Sequence, residues 1–345
     1  MSFSFFKPSR PKTAQEVVKS IKDSLTALDN KTVVEVKTLE KALEEVEKNF
    51  VTLRCMLSGD GEVEPNMEQV SQLVIEMCNQ DALSLLVHKL PNLGWATRKD
   101  VVHCWAALLK HKVESRYCSV EYIELHRELL DFLVVCYDNK EIALHCGLML
   151  RECIKFQSLA KFILESPSFV LFFKFVKLPN FDVASDAFCT FKDLLTKHEN
   201  IVAEYLVSHY DEFFDLYEKL LTSENYVTRR QSLKLLAEFL LESPSSYIMK
   251  RYILEVRYLK VMMTLLQDSR KNIKISCFHI FKVFVANPNK TEEIKRILAK
   301  NHDKLVELLQ NISVGKGGDD EQLEEEKELI IKEIRSLASD RDYNS

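Results

Sequence analysis

His103-Cys-Trp-Ala-Ala-Leu108 carries the pattern that decides the fold: a small residue, an apolar neighbour, and a second apolar residue one helical turn later. The pattern occurs five times, as Cys104-Trp105 with Leu108, Cys146-Gly147 with Leu150, Ala187-Phe188 with Phe191, Ser232-Leu233 with Leu236, and Cys277-Phe278 with Phe281. The small residues are 42, 41, 45 and 45 positions apart, which is the period of armadillo or HEAT repeats. We therefore expect an all-α chain whose repeats stack into a right-handed superhelix, an α-solenoid.

The composition agrees with a helical chain. Only 7 glycines and 8 prolines occur in 345 residues, whereas sandwiches, barrels and doubly wound sheets need many tight turns. A hydrophobic content of 46% provides enough apolar surface to bury and argues against global disorder.

Three regions are predicted along the chain: an N-terminal helical cap (1–66), the armadillo/HEAT-like array (67–312), and a linker followed by an acidic helix or tail (313–345). Thr13 and Glu16 match a capping box that begins the first helix.

The last predicted helix, from Leu323 to Leu337, has an apolar stripe of Leu329, Ile330, Ile334 and Leu337. The pattern is compatible with a helix that caps the last repeat and with one that stays mobile.

The net charge of −5 is unevenly distributed. Residues 225–300 contain 15 basic and 6 acidic side chains, a local charge of +9, and residues 319–345 contain 4 basic and 10 acidic ones, a local charge of −6. A basic stretch can steer an acidic protein partner or lie on nucleic acid. Solvated helix faces are the commonest explanation for such counts.

Motifs for catalysis are not found. The sequence contains no HExxH, GxSxG, GxGxxG or Gly-rich phosphate loop, so we expect no enzyme, no cofactor and no small-molecule substrate. His103, Cys104 and His111 lie close in sequence, but a packing role is favoured over a zinc site because Cys104 belongs to the repeat core.

Cysteine usage predicts a reducing compartment. The nine cysteines form no CxxC pair and most lie in apolar runs, such as Cys104, Cys136, Cys146, Cys189 and Cys277. No signal peptide and no apolar span of 18 residues is evident. We expect a soluble, cytoplasmic protein without membrane insertion.

Four long segments resemble the calcium-binding protein 39 (Mo25-like) family of kinase scaffold proteins. They are HCGLMLRECI (145–154), FDVASDAFCTFKDLLTKH (181–198), SENYVTRRQSLKLL (223–236) and FKVFVANPNKT (281–291). The resemblance extends from the N terminus to about residue 312. It implies a horseshoe of helical repeats whose concave side binds a sterile-20-class protein kinase or pseudokinase in its active-like conformation.

The resemblance also implies particular site residues. The kinase-contacting aromatic of the family falls on Phe181 and its key arginine on Arg230. A pocket for a C-terminal Trp-Glu-Phe motif of the partner falls on Lys260, Met263 and Lys300. A Met-lined cleft adapts well to aromatic side chains, and a lysine can pair with the glutamate of the motif.

The residues alone leave other interpretations open. Phe181 could be an inter-repeat core residue, and Met263 could face the core. Arg230 is a stronger candidate for a binding residue, because arginine is rarely fully buried and is enriched at binding hot spots. Tyr226, one turn earlier, is expected on the same helix face.

One loop departs from the family pattern. In animal members a basic and an aromatic residue of this loop help engage a liver-type tumour-suppressor kinase, and Ser243 and Ser246 occupy the matching positions here. Neither side chain is a cation or a large apolar anchor, so the resemblance does not carry that ternary complex over to this chain.

The leading functional hypothesis is a non-catalytic scaffold that activates a kinase allosterically by holding its active conformation. The alternatives are a nucleic-acid-binding helical array that uses the basic stretch, and a structural adaptor in cell polarity that does not alter kinase activity. The aromatic residues fall mostly at core spacing, which lowers the nucleic-acid alternative and predicts no nucleic-acid partner.

Overall fold

The computed structural model describes residues 12–28, 36–61, 64–242, 246–312 and 319–342. Within those ranges the chain forms twenty α-helices and no β-strand; one isolated bridge joins Val113 and Arg116. The expected all-α class is therefore confirmed. The chain divides into two compact units, Met1–Lys197 and His198–Ser345.

The first unit contains eleven of these helices. They are α1 (Ala14–Thr26), α2 (Val36–Ser58), α3 (Met67–Asn79), α4 (Ala82–His88), α5 (Trp95–Lys110), α6 (Cys118–Leu125), α7 (Glu128–Val135), α8 (Ala143–Ile154), α9 (Gln157–Glu165), α10 (Phe172–Phe175) and α11 (Phe181–Thr196).

The second unit contains the other nine. They are α12 (Glu199–Ser208), α13 (Tyr210–Leu221), α14 (Tyr226–Ala237), α15 (Ser246–Tyr252), α16 (Val256–Leu265), α17 (Lys271–Ala286), α18 (Glu292–Lys300), α19 (His302–Gln310) and α20 (Asp319–Asp342).

Helices that are three apart in chain order pack against each other and so form rows. In the first unit the rows are α2–α5–α8–α11, α3–α6–α9 and α1–α4–α7, and in the second unit α14, α17 and α20 form such a row. Three helices per repeat are typical of armadillo organisation. The five copies of the small-apolar pattern lie on α5, α8, α11, α14 and α17. Their residues are buried, except that Phe188 is half-buried, so the predicted repeat is a real structural period.

Neighbouring row helices of the first unit approach closely. Trp105 of α5 donates its indole N–H to the carbonyl of Met149 on α8, at 3.2 Å. Gly147 of α8 faces α11, where an added Cβ would lie 1.9 Å from a carboxylate oxygen of Asp186. The same carboxylate forms a 2.7 Å ion pair with Arg151. Glycine is therefore needed at position 147 for this contact.

Side-chain caps set the first residue of several helices. The Thr13–Glu16 capping box is present, as predicted. Asn180 accepts a hydrogen bond from the backbone N–H of Val183 at the start of α11. Asn225 does the same for the first turn of α14. These caps place Phe181 and Tyr226 at the first position of their helices.

The acidic helix α20 packs against α17, α18 and α19, which decides between the two alternatives left open by the sequence. Its buried stripe contains Leu323, Ile330 and Ile334. The prediction that Leu329 belongs to this stripe is wrong, because its side chain is 67% exposed. Leu337 is half-buried. The buried positions follow the spacing i, i+7, i+11 from Leu323, and Leu329 does not fall on it.

Ion pairs attach α20 to the preceding helices. Lys282 of α17 lies 2.6 Å from Glu326. Lys290, which follows α17 and is almost fully buried, lies 2.9 Å from Glu333 and also donates to the carbonyl oxygens of Val285 and Asn287. A buried ammonium group needs such partners, so these contacts fix the position of α20.

Candidate protein-binding surfaces

Four large apolar side chains of the first unit are exposed on adjacent row helices. Trp95 on α5 is 64% exposed, Leu144 and Leu148 on α8 are 41% and 46% exposed, and Phe181 on α11 is 66% exposed. We call these four residues the apolar face. Large apolar side chains exposed on neighbouring helices are candidates for contact with a partner.

The packing of α8 explains why its two leucines are exposed. Helices α5 and α11 cover its two flanks, and α7 and α9 pack on it as well. Leu144 and Leu148, which are one helical turn apart, therefore occupy the side that remains open.

The apolar face settles one alternative and adds residues that sequence reasoning missed. Because Phe181 is exposed, the interpretation of Phe181 as an inter-repeat core residue is wrong. Trp95, Leu144 and Leu148 were not predicted as site residues. Their signal in the sequence is weak: Leu144 and Leu148 lie beside buried positions of α8, and Trp95 is the first residue of α5. The ammonium of Lys99 lies 3.4 Å from the centre of the Trp95 ring, a cation–π contact.

A second surface lies on α14 in the second unit. Tyr226 and Arg230 are half-buried and one turn apart, as predicted, and Lys234 is exposed one turn further on. The guanidinium of Arg270 lies 4.7 Å from the centre of the Tyr226 ring. We call Tyr226, Arg230, Lys234 and Arg270 the basic face.

The two adjacent arginines of α14 have different environments. Arg229 forms a 3.0 Å ion pair with Asp268, and both side chains are largely buried. The Nε of each arginine is buried without a hydrogen-bond partner among the described residues, but Arg230, unlike Arg229, forms no ion pair there. Arg229 therefore holds the fold together, whereas Arg230 has hydrogen-bonding capacity left for a partner.

A groove of about 620 Å³ lies between α13, α14 and α16 of the second unit. Val261 and Leu265, both buried, form its apolar part, and Thr222, Thr264 and Gln267 form its neutral polar part. Lys260 also lines it. Its size falls within the usual range for ligand-binding clefts.

Two ion pairs lie in the wall of this groove. Arg257 donates hydrogen bonds to Glu218 and to Asp215, and the bond that it donates to Asp215 is the main reason that the pKa of Arg257 is raised. Arg229 pairs with Asp268. Lys260 forms no ion pair with the described residues and is exposed, so it is the uncompensated cation among the lining residues.

The three residues predicted for the tail-motif pocket lie on two helices that pack on each other. Lys260 and Met263 lie one turn apart on α16, and Lys300 is the exposed last residue of α18, which packs on α16. Only Lys260 lines the groove; Met263 is half-buried and, like Lys300, lies outside its lining.

The amino-acid sequence matches the family model described as Mo25-like over residues 4–338. The chain belongs to the Mo25-like family. The resemblance found in the sequence is therefore confirmed.

Several relatives match nearly their whole length. The human protein called calcium-binding protein 39-like is 46% identical over 326 residues, which cover 94% of this chain and 95% of that protein. The Mo25-like protein of Schizosaccharomyces pombe is 42% identical over 337 residues, covering 98% of this chain and all of its own. MO25-like protein 2 of Caenorhabditis elegans is 44% identical, covering 94% of this chain and 96% of its own.

Several cysteine and histidine side chains of this Mo25-like chain have packing or hydrogen-bonding roles. Burial raises the pKa of the Cys104 and Cys153 thiols to about 12, which keeps them protonated and unreactive. His103 and His111 each bond through Nε2 to a serine hydroxyl. No group of three potential metal ligands occurs within the described ranges. Cys189, expected in an apolar run, is exposed on α11 instead.

Two remaining predictions concern parts of this Mo25-like chain with little or no structural description. Ser243 lies outside the described residues, and so does the side chain of Ser246.

In the part of the chain that is described, no helix has the length and apolar character needed to span a bilayer.

Proposed function

We propose that this Mo25-like protein is a non-catalytic, cytoplasmic scaffold that binds a sterile-20-class protein kinase or pseudokinase and activates it allosterically. The observation that carries the proposal is the apolar face, since Trp95 and Phe181 are exposed at the first positions of α5 and α11, the two row helices that flank α8. Buried aromatic anchors supply much of the free energy of protein–protein binding.

The basic face supports the same function by a different kind of contact. Arg230 has no acidic partner among the described residues, and Lys234 and Arg270 also have none. A carboxylate or phosphate of the kinase can therefore pair with these cations without breaking an internal ion pair. Tyr226 provides an aromatic ring beside them.

Activation requires that the scaffold bind the active conformation of the kinase more tightly than the inactive one. A difference of about 3 kcal/mol would shift the conformational equilibrium roughly 150-fold. No reactive group of the scaffold takes part in this mechanism.

A second contact would involve the C-terminal tail of the partner. Lys260, Met263 and Lys300 are proposed to bind a Trp-Glu-Phe-type motif, with a lysine opposite the glutamate. Binding at two sites raises the effective concentration of each.

The nucleic-acid alternative is less well supported. Within residues 225–300, several basic side chains already pair with carboxylates, including Arg229, Arg257 and the two lysines bound to α20. Paired cations contribute less to the counterion release that drives nucleic-acid binding.

The test measures kinase activity and binding with matched variants of the full chain. Leu148→Asp introduces a charge in the apolar face, and Leu125→Asp introduces the same charge at the end of α6, where the leucine is 82% exposed. We expect Leu148→Asp to weaken binding of a sterile-20-class kinase by about a hundredfold and to abolish its activation, while Leu125→Asp leaves both unchanged.

Equal activation by both variants would refute the role of the apolar face. Binding without any change in kinase activity, for the unsubstituted scaffold, would favour the structural adaptor instead.

A further inference from the structure

Two further cations lie beside the basic face of the second unit. Lys271 and Lys274 follow Arg270 in the first turn of α17; Lys271 is exposed and Lys274 is half-buried. Helix α17 packs on α14, and the side-chain amide of Asn272 donates to the hydroxyl of Tyr226 at 3.4 Å. This contact places the start of α17 against the aromatic ring of the basic face.

Most of the positive charge around Tyr226 is not neutralised within the described residues. Residues 223–238 and 268–282, which include α14 and most of α17, contain seven basic and three acidic side chains. Two of the basic side chains form ion pairs with described residues: Arg229 with Asp268, and Lys282 with Glu326 of α20. The basic side chains without such a partner are Arg230, Lys234, Arg270, Lys271 and Lys274. They outnumber the two carboxylates left in these segments, those of Glu224 and Glu238, so this surface has a net positive charge.

We propose that this surface binds a phosphorylated serine or threonine of the kinase, and that Arg230 and Arg270 are the main ligands of the phosphate group. The inference rests on the proposed function, because the bound kinase is what brings the phosphate to the surface.

The number and type of the cations favour a phosphate over a carboxylate. A carboxylate carries one negative charge, whereas a phosphorylated side chain carries about 1.5 to 2 and offers three acceptor oxygens. A guanidinium can bond to two of these oxygens at once. The guanidinium of Arg270 lies 4.7 Å from the centre of the Tyr226 ring, and Arg230 is one turn after Tyr226 on α14. Both guanidinium groups are therefore next to one ring and can share one phosphate.

The start of α17 adds to the positive potential of this surface. The first turn of α17 contains no acidic side chain, and its N-cap residue, Arg270, makes no side-chain hydrogen bond to it. The N-terminal end of a helix carries partial positive charge, which the cations of this turn repel. A bound dianion would offset that repulsion.

The burial of Arg230 favours a phosphate carried by a protein side chain over one in a membrane surface. Arg230 is half-buried and its Nε is shielded from solvent, so a ligand has to reach into the surface to pair with it. A phosphate at the end of a serine or threonine side chain can do so, whereas a flat layer of headgroups is held back by the exposed residues around it.

The test compares two forms of one sterile-20-class kinase domain, phosphorylated and treated with phosphatase, by calorimetric titration against the full chain. We expect the phosphorylated form to bind about tenfold more tightly, the effect of one or two charge-assisted hydrogen bonds. Raising the salt concentration is expected to reduce this preference, because ions screen exposed charges.

Variants assign the preference to this surface. Arg270→Gln removes a guanidinium from an exposed position and is expected to weaken binding of the phosphorylated form more than of the other, so that the preference falls to about twofold. Adding Lys271→Gln is expected to remove the rest. Arg335→Gln makes the same change at an exposed arginine of α20 and is expected to keep the full preference.

The contrary results can be told apart. Equal affinity for the two forms of the kinase would overturn the phosphate site and leave the scaffold function intact. A preference caused only by the conformation of the phosphorylated kinase would persist in the double variant, and its persistence would overturn the assignment to this surface. Failure of both forms to bind would refute the proposed function and the inference with it. Binding of phosphoinositide vesicles that Arg270→Gln abolishes, without any preference between the kinase forms, would assign the surface to a membrane instead.

Discussion

The side chains exposed on the row helices differ in chemical character between the two units. In the first unit α5, α8 and α11 expose Trp95, Leu144, Leu148 and Phe181, and in the second unit α14 exposes cations around a tyrosine. Apolar contacts contribute free energy that depends little on salt, whereas charged contacts contribute orientation, specificity and association rate. One repeat architecture thus presents two kinds of surface, because the core pattern of each helix leaves its open side free to vary.

The largest expected effect concerns the packing that supports the apolar face. Gly147→Ala would place a methyl group against Asp186 and the Tyr137 hydroxyl, forcing α8 and α11 apart. We expect the free energy of unfolding to fall by about 3 kcal/mol, measured by chemical denaturation. Gly94→Ala is the control, because an added Cβ there meets no atom within 4 Å, and a loss of similar size in that variant would contradict the packing explanation.

An intermediate effect separates the two surfaces by their response to salt. Phe181→Ala is expected to cost about 2 kcal/mol of kinase-binding free energy at both low and high salt. Arg230→Ala is expected to cost about 1.5 kcal/mol at low salt and clearly less at high salt, because ions screen exposed charges. Calorimetric titration at two salt concentrations measures both. The same salt response in the two variants would remove the distinction between the surfaces.

The smallest effect refines the role of the basic face. Lys234→Gln is expected to slow association with the kinase about threefold and to change dissociation little, because this exposed lysine acts by steering. Stopped-flow kinetics measures the two rates. Lys304→Gln on α19 carries the same change in net charge, and an equal slowing by that control would indicate a general effect of charge instead of a local one.

The repeat architecture was predictable because its signal is local and repeated. The spacing of Cys104, Cys146, Ala187, Ser232 and Cys277 reflects the distance between equivalent helices, and asparagines and threonines mark helix starts by their capping chemistry. These features depend on each helix alone or on its nearest neighbour.

The surfaces were less predictable because exposure depends on what packs nearby. Cys189 and Leu329 lie in apolar runs yet are exposed, since adjacent residues occupy the buried positions of α11 and α20. Leu144 and Leu148 look like core residues in the sequence for the same reason. Phe181 and Arg230 were singled out through the resemblance to a family, and the groove beside Lys260 emerges only from the packing of three helices.

The packing of α20 changes which positive charges of the second unit are neutralised. Glu326 and Glu333 of α20 form ion pairs with Lys282 and Lys290. The positive charge of these two lysines is therefore neutralised within the molecule. Arg230, Lys234 and Lys260 have no such carboxylate partner among the described residues. Because salt screens exposed charges beyond about 10 Å, each of these cations acts mainly on acidic groups that come close to it.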